Sequence, residues 1–209
     1  MANLKSVMKS TILALALTAF VYPAVASAQG QIYLTPYFAS YYATSSNGLE
    51  AGDLSEKQEN GPGLGAALGF KLSQVLGIEA AYTYVSSGTN ISGESTGAAN
   101  LGFSGNIMFA NARATITAPR SNFYGLAGVG IVMHGGNAWE GDVFTKLTSF
   151  AGVLGLGIQA DVSPKVRIDV KVEAQLYSFD PDGGDGDAYA SKFMPDIMVT
   201  IGFPLFLKR

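Results

Sequence analysis

The chain contains one histidine, His134, and imidazole is the side chain most often used as a general base. To activate a serine, the ring would need that hydroxyl within about 3 Å. The residues two positions away along the chain are Val132 and Gly136, and neither is a serine. We therefore expect a structural histidine, with a catalytic base as the alternative.

Carboxylates are concentrated in the segment Asp180–Asp187, which holds four of them in eight residues. Oxygen ligands at this density could bind a divalent cation such as Ca²⁺. The match to a calcium-binding loop is incomplete, because Gly184 stands where the third ligand is required and the closing glutamate is missing. We expect a solvated acidic loop, with a weak cation site as the alternative, and no cofactor.

A third group of polar residues lies in Val166–Tyr177, where apolar residues alternate with polar or amphipathic ones without a break. Side chains alternate between the two faces of a β-strand, so this pattern predicts a strand with one apolar face and one polar face. The stretch is slightly longer than the about 9–11 tilted residues with which a strand crosses a bilayer. We predict lipid against the apolar face and a packed, charged interior against the other.

The composition supports strands in a membrane. Charged residues make up 14% of the 209 residues, well below the roughly 25% of soluble domains. Beyond the N-terminal segment, no stretch reaches the about 20 apolar residues of a membrane helix, so hydrophobicity is spread over alternate positions. The chain has no cysteine, which excludes disulfides, thiolate catalysis and lipidation on cysteine.

The N-terminal segment Met1–Ala28 has the features of a secretory signal peptide. A positively charged start precedes the apolar core Thr11–Val21, and Ala26–Ala28 forms a cleavage site of small residues. A membrane anchor helix is the alternative, but the apolar stretch is too short and contains Pro23. We therefore expect an exported chain whose mature form begins at Gln29.

Eight strand-like runs follow in residues 29–209, separated by turn signals. They lie near Gln31–Tyr42, Gly63–Leu72, Leu76–Val85, Asn100–Ile116, Asn122–Met133, Lys146–Asp161, Lys165–Phe179 and Phe193–Phe203. The connectors alternate between long segments, near Ala43–Pro62, Ser86–Ala99, His134–Thr145 and Asp180–Lys192, and short ones, near Ser73–Val75, Thr117–Ser121 and Val162–Pro164. Outer-membrane barrels show this alternation, with short periplasmic turns and long external loops. The sequence therefore predicts an all-β fold, an eight-stranded antiparallel up-and-down transmembrane β-barrel of the bacterial outer membrane, with both termini in the periplasm.

The fourth run departs from simple alternation. Its polar residues Asn111 and Arg113 fall on the same face as four apolar residues, which are Leu101, Phe103, Ile107 and Phe109. If that face meets lipid, a bulge near Met108–Asn111 would return the polar pair to the interior. Alternatively, the pair lies beyond the lipid at the periplasmic rim.

A soluble calycin-like barrel, with its apolar face inward, is the alternative fold. Three features favour the membrane barrel: the alternation of long and short connectors, the glycines on the polar face, and aromatic residues near the expected ends of the apolar face. The aromatic residues expected to form interfacial girdles are Tyr42, Tyr82, Tyr84, Phe123 and Phe203.

The segment Tyr124–Ile131, Tyr-Gly-Leu-Ala-Gly-Val-Gly-Ile, resembles a glycine-rich strand common in small barrels. With this segment and its architecture, the chain resembles the eight-stranded outer-membrane barrels of the OmpA transmembrane-domain and OmpX type. The resemblance implies that the barrel assembly machinery recognises an aromatic residue near the C-terminus, a role left to Phe203 or Phe206. We expect no peptidoglycan-binding domain after the barrel.

Two short turns predict how charges pair inside the barrel. Lys71 is expected opposite Glu79, and Asp161 opposite Arg167, because opposite charges attract across a hairpin. Further along, Lys171 and Glu173 are expected to face Gly157 and Gly155, which leave room for long side chains in a narrow interior. The predicted network consists of Lys71, Glu79, Asp161, Arg167, Asp169, Lys171 and Glu173. The opposite phase would put basic residues into lipid at up to about 2–4 kcal/mol each.

The acidic residues of the long connectors limit the kinds of function to consider. The four long connectors hold 11 of the 16 acidic residues, so the outer face is anionic and unsuited to nucleic acid. We predict a small non-enzymatic barrel with an envelope-structural or surface-contact role through its acidic loops. The expected partners are outer-membrane lipid, lipopolysaccharide bridged by divalent ions, and the barrel assembly machinery. The alternatives are a lipid-modifying barrel enzyme that uses His134, and a narrow pore or binder of a small apolar ligand.

Overall fold

The computed structural model describes residues 30–44, 54–93, 101–118, 121–136, 148–163, 166–179 and 192–208. The predicted signal peptide, Met1–Ala28, and the acidic segment Asp180–Asp187 both lie outside this part of the chain. The described residues contain no helix with the length and apolar character needed to cross a membrane.

Twelve strands are formed by the described residues: β1 Gln31–Tyr42, β2 Leu54–Gln58, β3 Gly61–Lys71, β4 Leu76–Ser86, β5 Thr89–Gly93, β6 Leu101–Phe103, β7 Asn106–Thr117, β8 Phe123–Gly135, β9 Thr148–Asp161, β10 Arg167–Phe179, β11 Lys192–Gly202 and β12 Leu205–Lys208. Seven of the eight predicted runs coincide with barrel strands to within a few residues, and the fourth, Asn100–Ile116, covers β6 as well as most of β7.

Eight of these strands close into one barrel. The order is β1-β3-β4-β7-β8-β9-β10-β11, every neighbouring pair is antiparallel, and β11 returns to pair with β1. Closure removes the free edges of the sheet, where backbone groups would otherwise lack partners. The predicted eight-stranded antiparallel barrel is confirmed.

The two ends of the barrel differ. The end that carries the short connectors, the start of β1 and the end of β12 is called the turn side below. The opposite end, called the loop side, carries a second sheet in the order β2-β5-β6. These three strands lie next in sequence to β3, β4 and β7, and they pair in the same lateral order. The wall formed by β3, β4 and β7 therefore extends beyond the barrel on the loop side.

The wall has a polar, buried inner face and an apolar, exposed outer face. In β1 the odd-numbered residues from Tyr33 to Tyr41 are buried, whereas the even-numbered residues from Ile32 to Tyr42 are exposed. Large outward side chains such as Phe150 and Leu156 are 88% and 73% exposed. An apolar exterior around charged, buried interior groups fits lipid outside, so the soluble calycin-like alternative is wrong.

The five residues predicted for aromatic girdles all face outward. Their exposed fractions are 44% for Tyr42, 47% for Tyr82, 43% for Tyr84, 62% for Phe123 and 39% for Phe203. Tyr42 and Tyr84 lie toward the loop side and Phe123 and Phe203 toward the turn side. Aromatic girdles occupy these two ends of the outer face in membrane barrels.

The prediction that Ile107 and Phe109 of the fourth run face lipid is wrong. Ile107 and Phe109 are completely buried and face the lumen together with Asn111 and Arg113. The register between β4 and β7 is unbroken from Leu76 to Ser86, so there is no bulge at the predicted place. Instead, Ser104 and Gly105 separate β6 from β7. The apolar residues are inside because the lumen itself is apolar on the loop side. The side chains of Leu101 and Phe103 are outside the description.

The C-terminal strand changes its course after β11. Phe203 and Pro204 interrupt the strand, and the backbone N–H of Phe203 donates to the carbonyl of Pro36 at 3.0 Å. β12 then pairs with the beginning of β1, with Phe206 opposite Tyr33. Leu205 and Leu207 are exposed on the outer face, whereas the half-buried Phe206 ring lies 6.0 Å from the Tyr33 ring.

Candidate functional site

The turn-side half of the lumen holds a cluster of five buried charged residues, called the ionic cluster: Glu79, Arg113, Asp169, Lys171 and Glu173. They come from β4, β7 and β10, whose alternation points every second side chain inward. Their exposed fractions are all 7% or less, so the charges depend on one another rather than on bulk water.

Arg113 is the centre of the ionic cluster. Its Nε lies 2.7 Å from Oε2 of Glu79, its neighbour across the β4–β7 pair. Its Nη1 lies 2.5 Å from Oε1 of Glu173, which belongs to β10. The guanidinium therefore bridges two carboxylates across the lumen and ties together walls that do not pair directly. Guanidinium suits this role because its donors form a rigid planar fork.

Lys171 lies near the third carboxylate, Asp169, and shares Glu173 with Arg113, both at longer range. Its Nζ is 3.8 Å from Oδ2 of Asp169 and 3.7 Å from Oε1 of Glu173. The same Nζ lies 5.1 Å from the centroid of the Tyr37 ring, within the range of a cation–π contact. The ionic cluster thus contains three acidic and two basic groups in a water-poor interior.

Tyrosine hydroxyls supply the remaining donors. Tyr33 donates to Oε1 of Glu79 at 2.8 Å, and Tyr124 donates to Oδ1 of Asp169 at 2.7 Å. A Cβ at Gly157 would lie 2.5 Å from the Tyr124 hydroxyl, so the missing side chain there lets the ring cross to Asp169. Neutral donors on the excess carboxylates lower the cost of burying them.

The predicted pairings are met in part. Asp161 lies opposite Arg167, with 2.5 Å between Oδ1 and Nε. Lys171 and Glu173 lie opposite Gly157 and Gly155, the register that the sequence predicts. The Asp161–Arg167 pair is partly exposed at the rim, with side chains 63% and 24% accessible, so it is separate from the buried ionic cluster.

The predicted pairing of Lys71 with Glu79 is wrong. Lys71 faces Gly77, and Glu79 faces Gly69, because the β3–β4 turn centres one position earlier than expected. A one-residue shift of the turn moves the cross-strand partner by two residues. Lys71 instead lies at the turn-side rim, with its Nζ 5.8 Å from the Phe206 ring centroid, and the Arg167 guanidinium is 5.4 Å from the same centroid.

The loop-side half of the lumen is closed by apolar and aromatic side chains, called the apolar cluster. Its buried members are Ala39, Tyr41, Val85, Ile107, Phe109, Val132, Ala151, Tyr177, Met194 and Met198. They come from every strand of the barrel except β3. Eight strands leave an interior that side chains can just fill, and here they fill it without charge pairs.

One carboxylate, Asp196, is inserted among these residues. The hydroxyls of Tyr41 and Tyr177 both donate to its Oδ2, at 2.5 and 2.6 Å, and the backbone N–H of Thr44 lies 3.4 Å from its Oδ1. Asp196 is completely buried. The three side chains join β1, β10 and β11 by hydrogen bonds where the barrel closes.

His134 belongs to the apolar end of the lumen rather than to an open rim. It pairs with Ile107 across β7 and β8, its side chain has no exposed surface, and its ring lies 5.9 Å from the ring of Tyr177. A base acting on a membrane lipid needs contact with that lipid. The geometry therefore supports a packing role for this histidine.

Arg113, the tyrosines and Asp196 belong to the site but are absent from the network that the sequence predicts. The sequence places Arg113 at a bulged or rim position, although Glu79 and Glu173 on other strands indicate the need for a basic partner. The tyrosines occupy inward positions of regular strands, and an inward hydroxyl in a charged lumen is a usable signal.

A closed wall, a charged interior and an apolar exterior define a transmembrane β-barrel. A family model of the outer membrane protein beta-barrel domain matches residues 11–194, and the chain belongs to this family. It is therefore a bacterial outer-membrane protein, in a family that is generally non-enzymatic. A comparison with curated protein sequences finds no significant match.

Two solved structures illustrate the shared fold. The outer membrane protein OprG from Pseudomonas aeruginosa is 11% identical, with a TM-score of 0.58 over 88% of this chain and 98% of that chain. The outer membrane protein AlkL, solved in lipid bilayers, is 14% identical, with a TM-score of 0.51 over 88% of this chain and 92% of that one. At these identities the similarity shows the fold alone.

Proposed function

We propose that the protein is a closed, non-enzymatic outer-membrane barrel whose role is envelope-structural or surface contact through its external face. The observation that carries this proposal is the occupied lumen. Lumen-facing side chains of β1 are buried along its whole length, from Tyr33 to Tyr41, and the ionic and apolar clusters fill the two halves. A barrel packed in this way presents its surface, rather than a channel, to other molecules.

The second sheet, β2-β5-β6, is connected to the barrel by hydrogen bonds at its base. Gln58 donates to the hydroxyl of Ser87 at 3.0 Å, and that hydroxyl donates to the carbonyl of Glu59 at 2.6 Å. The backbone N–H of Ser87 also donates to the carbonyl of Gly105 at 3.1 Å. These bonds tie the strands beyond the barrel to the ends of the barrel strands. An extension that is bonded to the barrel in this way and adjoins acidic connectors is suited to hold a cationic partner. Divalent ions bound to lipopolysaccharide phosphates are another suitable partner.

A charge-removal variant tests the contact role. Asp182→Asn/Asp185→Asn/Asp187→Asn removes three carboxylates of one long connector. Asp161→Asn, which removes one carboxylate at the opposite end, is the control for position. Binding of cells or protein-containing vesicles to a polylysine surface should fall in the triple variant, not in the control, and salt should weaken the wild type. Equal binding by all three proteins would contradict a role for the acidic connector.

The proposed orientation, with the turn side and both termini in the periplasm, has its own test. Protease added to intact cells should cleave near Leu49–Glu59 or Asp182–Asp187, because polar loops on a rigid barrel are accessible. Cleavage at these segments only after the outer membrane is opened would reverse the orientation.

A second candidate is a binder of a small apolar ligand. The observation that favours it is the apolar cluster, because Met194 and Met198 are flexible, polarizable side chains that can rearrange around a ligand. Displacement of a fluorescent apolar probe would test it, with Met198→Ala as the variant and outward-facing Met108→Ala as control. Probe binding that changes only with Met198→Ala would favour this candidate over the contact role.

A further inference from the structure

A groove lies on the outer surface of the barrel, separate from the lumen. Its volume is about 640 Å³. The floor is formed by Ala80 of β4 and by Ala112 and Ala114 of β7. Longer apolar side chains bound it on both sides, so the wall is locally hollow there.

The strand registers explain the shape. Ala80 pairs with Ala112, so their small side chains adjoin across β4 and β7. Leu68 of β3 lies on the other side of Ala80, and Val129 of β8 lies on the other side of Ala112. Leu68 and Val129 are 54% and 68% exposed, so both project from the wall and flank the alanine floor.

The groove belongs to the turn-side half of the lipid-facing belt. Ile78, which lines it, is the third residue of β4 after the turn at 72–75. The groove is continuous with the outward apolar surface that the barrel presents to hydrocarbon. In the proposed orientation, on which this step rests, that half of the belt lies in the periplasmic leaflet, which consists of phospholipid.

We propose that the groove is a binding site for one acyl chain of a phospholipid of the periplasmic leaflet. Its projecting side chains are aliphatic or aromatic and offer no donor or acceptor to a polar ligand. The groove is part of the lipid-facing belt, so the apolar ligands present at this surface are acyl chains. A floor two strands wide, at about 4.8 Å between strands, admits a slender hydrocarbon chain.

Filling the groove provides the test. Ala112→Leu/Ala114→Leu adds side chains to the floor, and Ala160→Leu/Ala174→Leu adds the same atoms to outward positions of β9 and β10. All three proteins are extracted from outer membranes, exchanged into one detergent and examined by native mass spectrometry. Heat-modifiable gel migration verifies that each is folded, and Ala112→Val replaces the filled variant if the double variant fails to fold.

The proposal expects one phospholipid to be retained per wild-type chain and per control chain, and to be lost from the filled variant. The motionally restricted fraction of spin-labelled phosphatidylglycerol in vesicles should be larger for the wild type and the control than for the filled variant. Retention by the filled variant, or no retained lipid in the wild type, overturns the proposal. Retention of lipopolysaccharide instead of phospholipid would contradict the assignment to the periplasmic leaflet. If the wild type is a dimer and the filled variant is a monomer, the groove is a protein interface and the proposal is overturned. The contact role fails separately, through the polylysine assay.

Discussion

The two halves of the lumen are closed by different physical means, although the same strands build both. On the turn side, Arg113 lies between Glu79 and Glu173 in a network of charge-assisted bonds. On the loop side, Phe109 and its neighbours close the barrel by packing. Arg113 and Phe109 are only four residues apart on β7. The lumen therefore changes from ion pairs to apolar packing within one strand, through the identity of single inward residues rather than through separate structural elements.

This difference teaches how the two halves should respond to substitution. Buried charges are stable only as a complete set, since removal of one partner leaves the others uncompensated in a medium that solvates them poorly. Apolar packing loses free energy in proportion to the atoms removed and the cavity that remains. Losses in the ionic cluster should therefore depend on which charges remain, whereas losses in the apolar cluster should scale with the atoms removed.

The largest effect is expected from Arg113→Leu. This change leaves three carboxylates with Lys171 alone, and breaking a buried charge set in this way typically costs about 3–5 kcal/mol. The free energy of unfolding is measured by urea titration of barrels in phospholipid vesicles, with gel migration as the readout.

The control for Arg113→Leu removes its partners too. Glu79→Leu/Arg113→Leu/Glu173→Leu leaves one acid, Asp169, with one base, Lys171, so the remaining charges balance. The triple variant should be more stable than the single variant, because apolar replacement of a whole buried set is often neutral or favourable. A triple variant less stable than Arg113→Leu would show that the bonds themselves, not the uncompensated charges, dominate.

Met198→Ala should have the next largest effect. The side chain is 1% exposed in the apolar cluster, and truncation of a buried methionine costs about 2–5 kcal/mol. The same urea titration measures it, and Met108→Ala, on the outer face of β7, is the control. In combination with Arg113→Leu the loss should be non-additive, because Met198 lies opposite Glu173, which pairs with Arg113. An additive loss would mean that the two halves close independently even where they meet.

Lys171→Leu is expected to cost less than Arg113→Leu. Its Nζ holds Asp169 and Glu173 only at 3.8 and 3.7 Å, and Arg113 still pairs with Glu173 in the variant. Loss of one partner of buried polar groups costs about 1–3 kcal/mol. Planar-bilayer recording accompanies the titration, and the closed barrel should pass no steady current. Large, ion-selective wild-type currents with unchanged stability in Lys171→Leu would show an open, hydrated lumen.

Tyr177→Phe is expected to have a smaller effect. It deletes one of two hydroxyl donors to Asp196, and Tyr41 remains at 2.5 Å. A net hydrogen bond contributes about 0.5–1.5 kcal/mol, somewhat more toward a charged acceptor. The urea midpoint should fall slightly, and the slope of the unfolding free energy against urea should not change. The double variant Tyr41→Phe/Tyr177→Phe should lose more stability than the two single variants added together. A double variant equal to the sum would mean that Asp196 does not depend on the pair.

The contrast between the halves also explains what the sequence could predict. Long alternation in β10 predicted that Lys171 and Glu173 face inward, because their interior is polar and their exterior is not. On the loop side of β7 both faces are apolar, as Ile107, Met108 and Phe109 show, so alternation carries no signal about direction. Alternation in β7 therefore does not predict that Arg113, the centre of the ionic cluster, faces inward.

Turn geometry sets a second limit. The tight turn closed by the bond from the Val162 N–H to the Val166 carbonyl, at 2.9 Å, fixes Asp161 opposite Arg167, and the sequence located that turn. The β3–β4 turn has several compatible centres, so Lys71 was assigned a partner two residues away from its true one. Contacts across the lumen, such as Arg113 to Glu173, follow from barrel closure and are not encoded in any local pattern.

The smallest effect is expected from Arg167→Leu. This residue pairs with Asp161 at the turn-side rim, where the two side chains are 24% and 63% accessible. Water screens the pair there, and exposed ion pairs contribute about 0–1 kcal/mol. The variant should unfold at nearly the wild-type urea concentration, and 1 M salt should remove what difference remains, because the Debye length falls to about 3 Å. Arg113→Leu should stay strongly destabilised at the same salt concentration, since its partners are buried. A salt-insensitive loss of several kcal/mol in Arg167→Leu would contradict this contrast, and would mean that the contact of Arg167 with the Phe206 ring, rather than its ion pair, holds the C-terminal strand to the barrel.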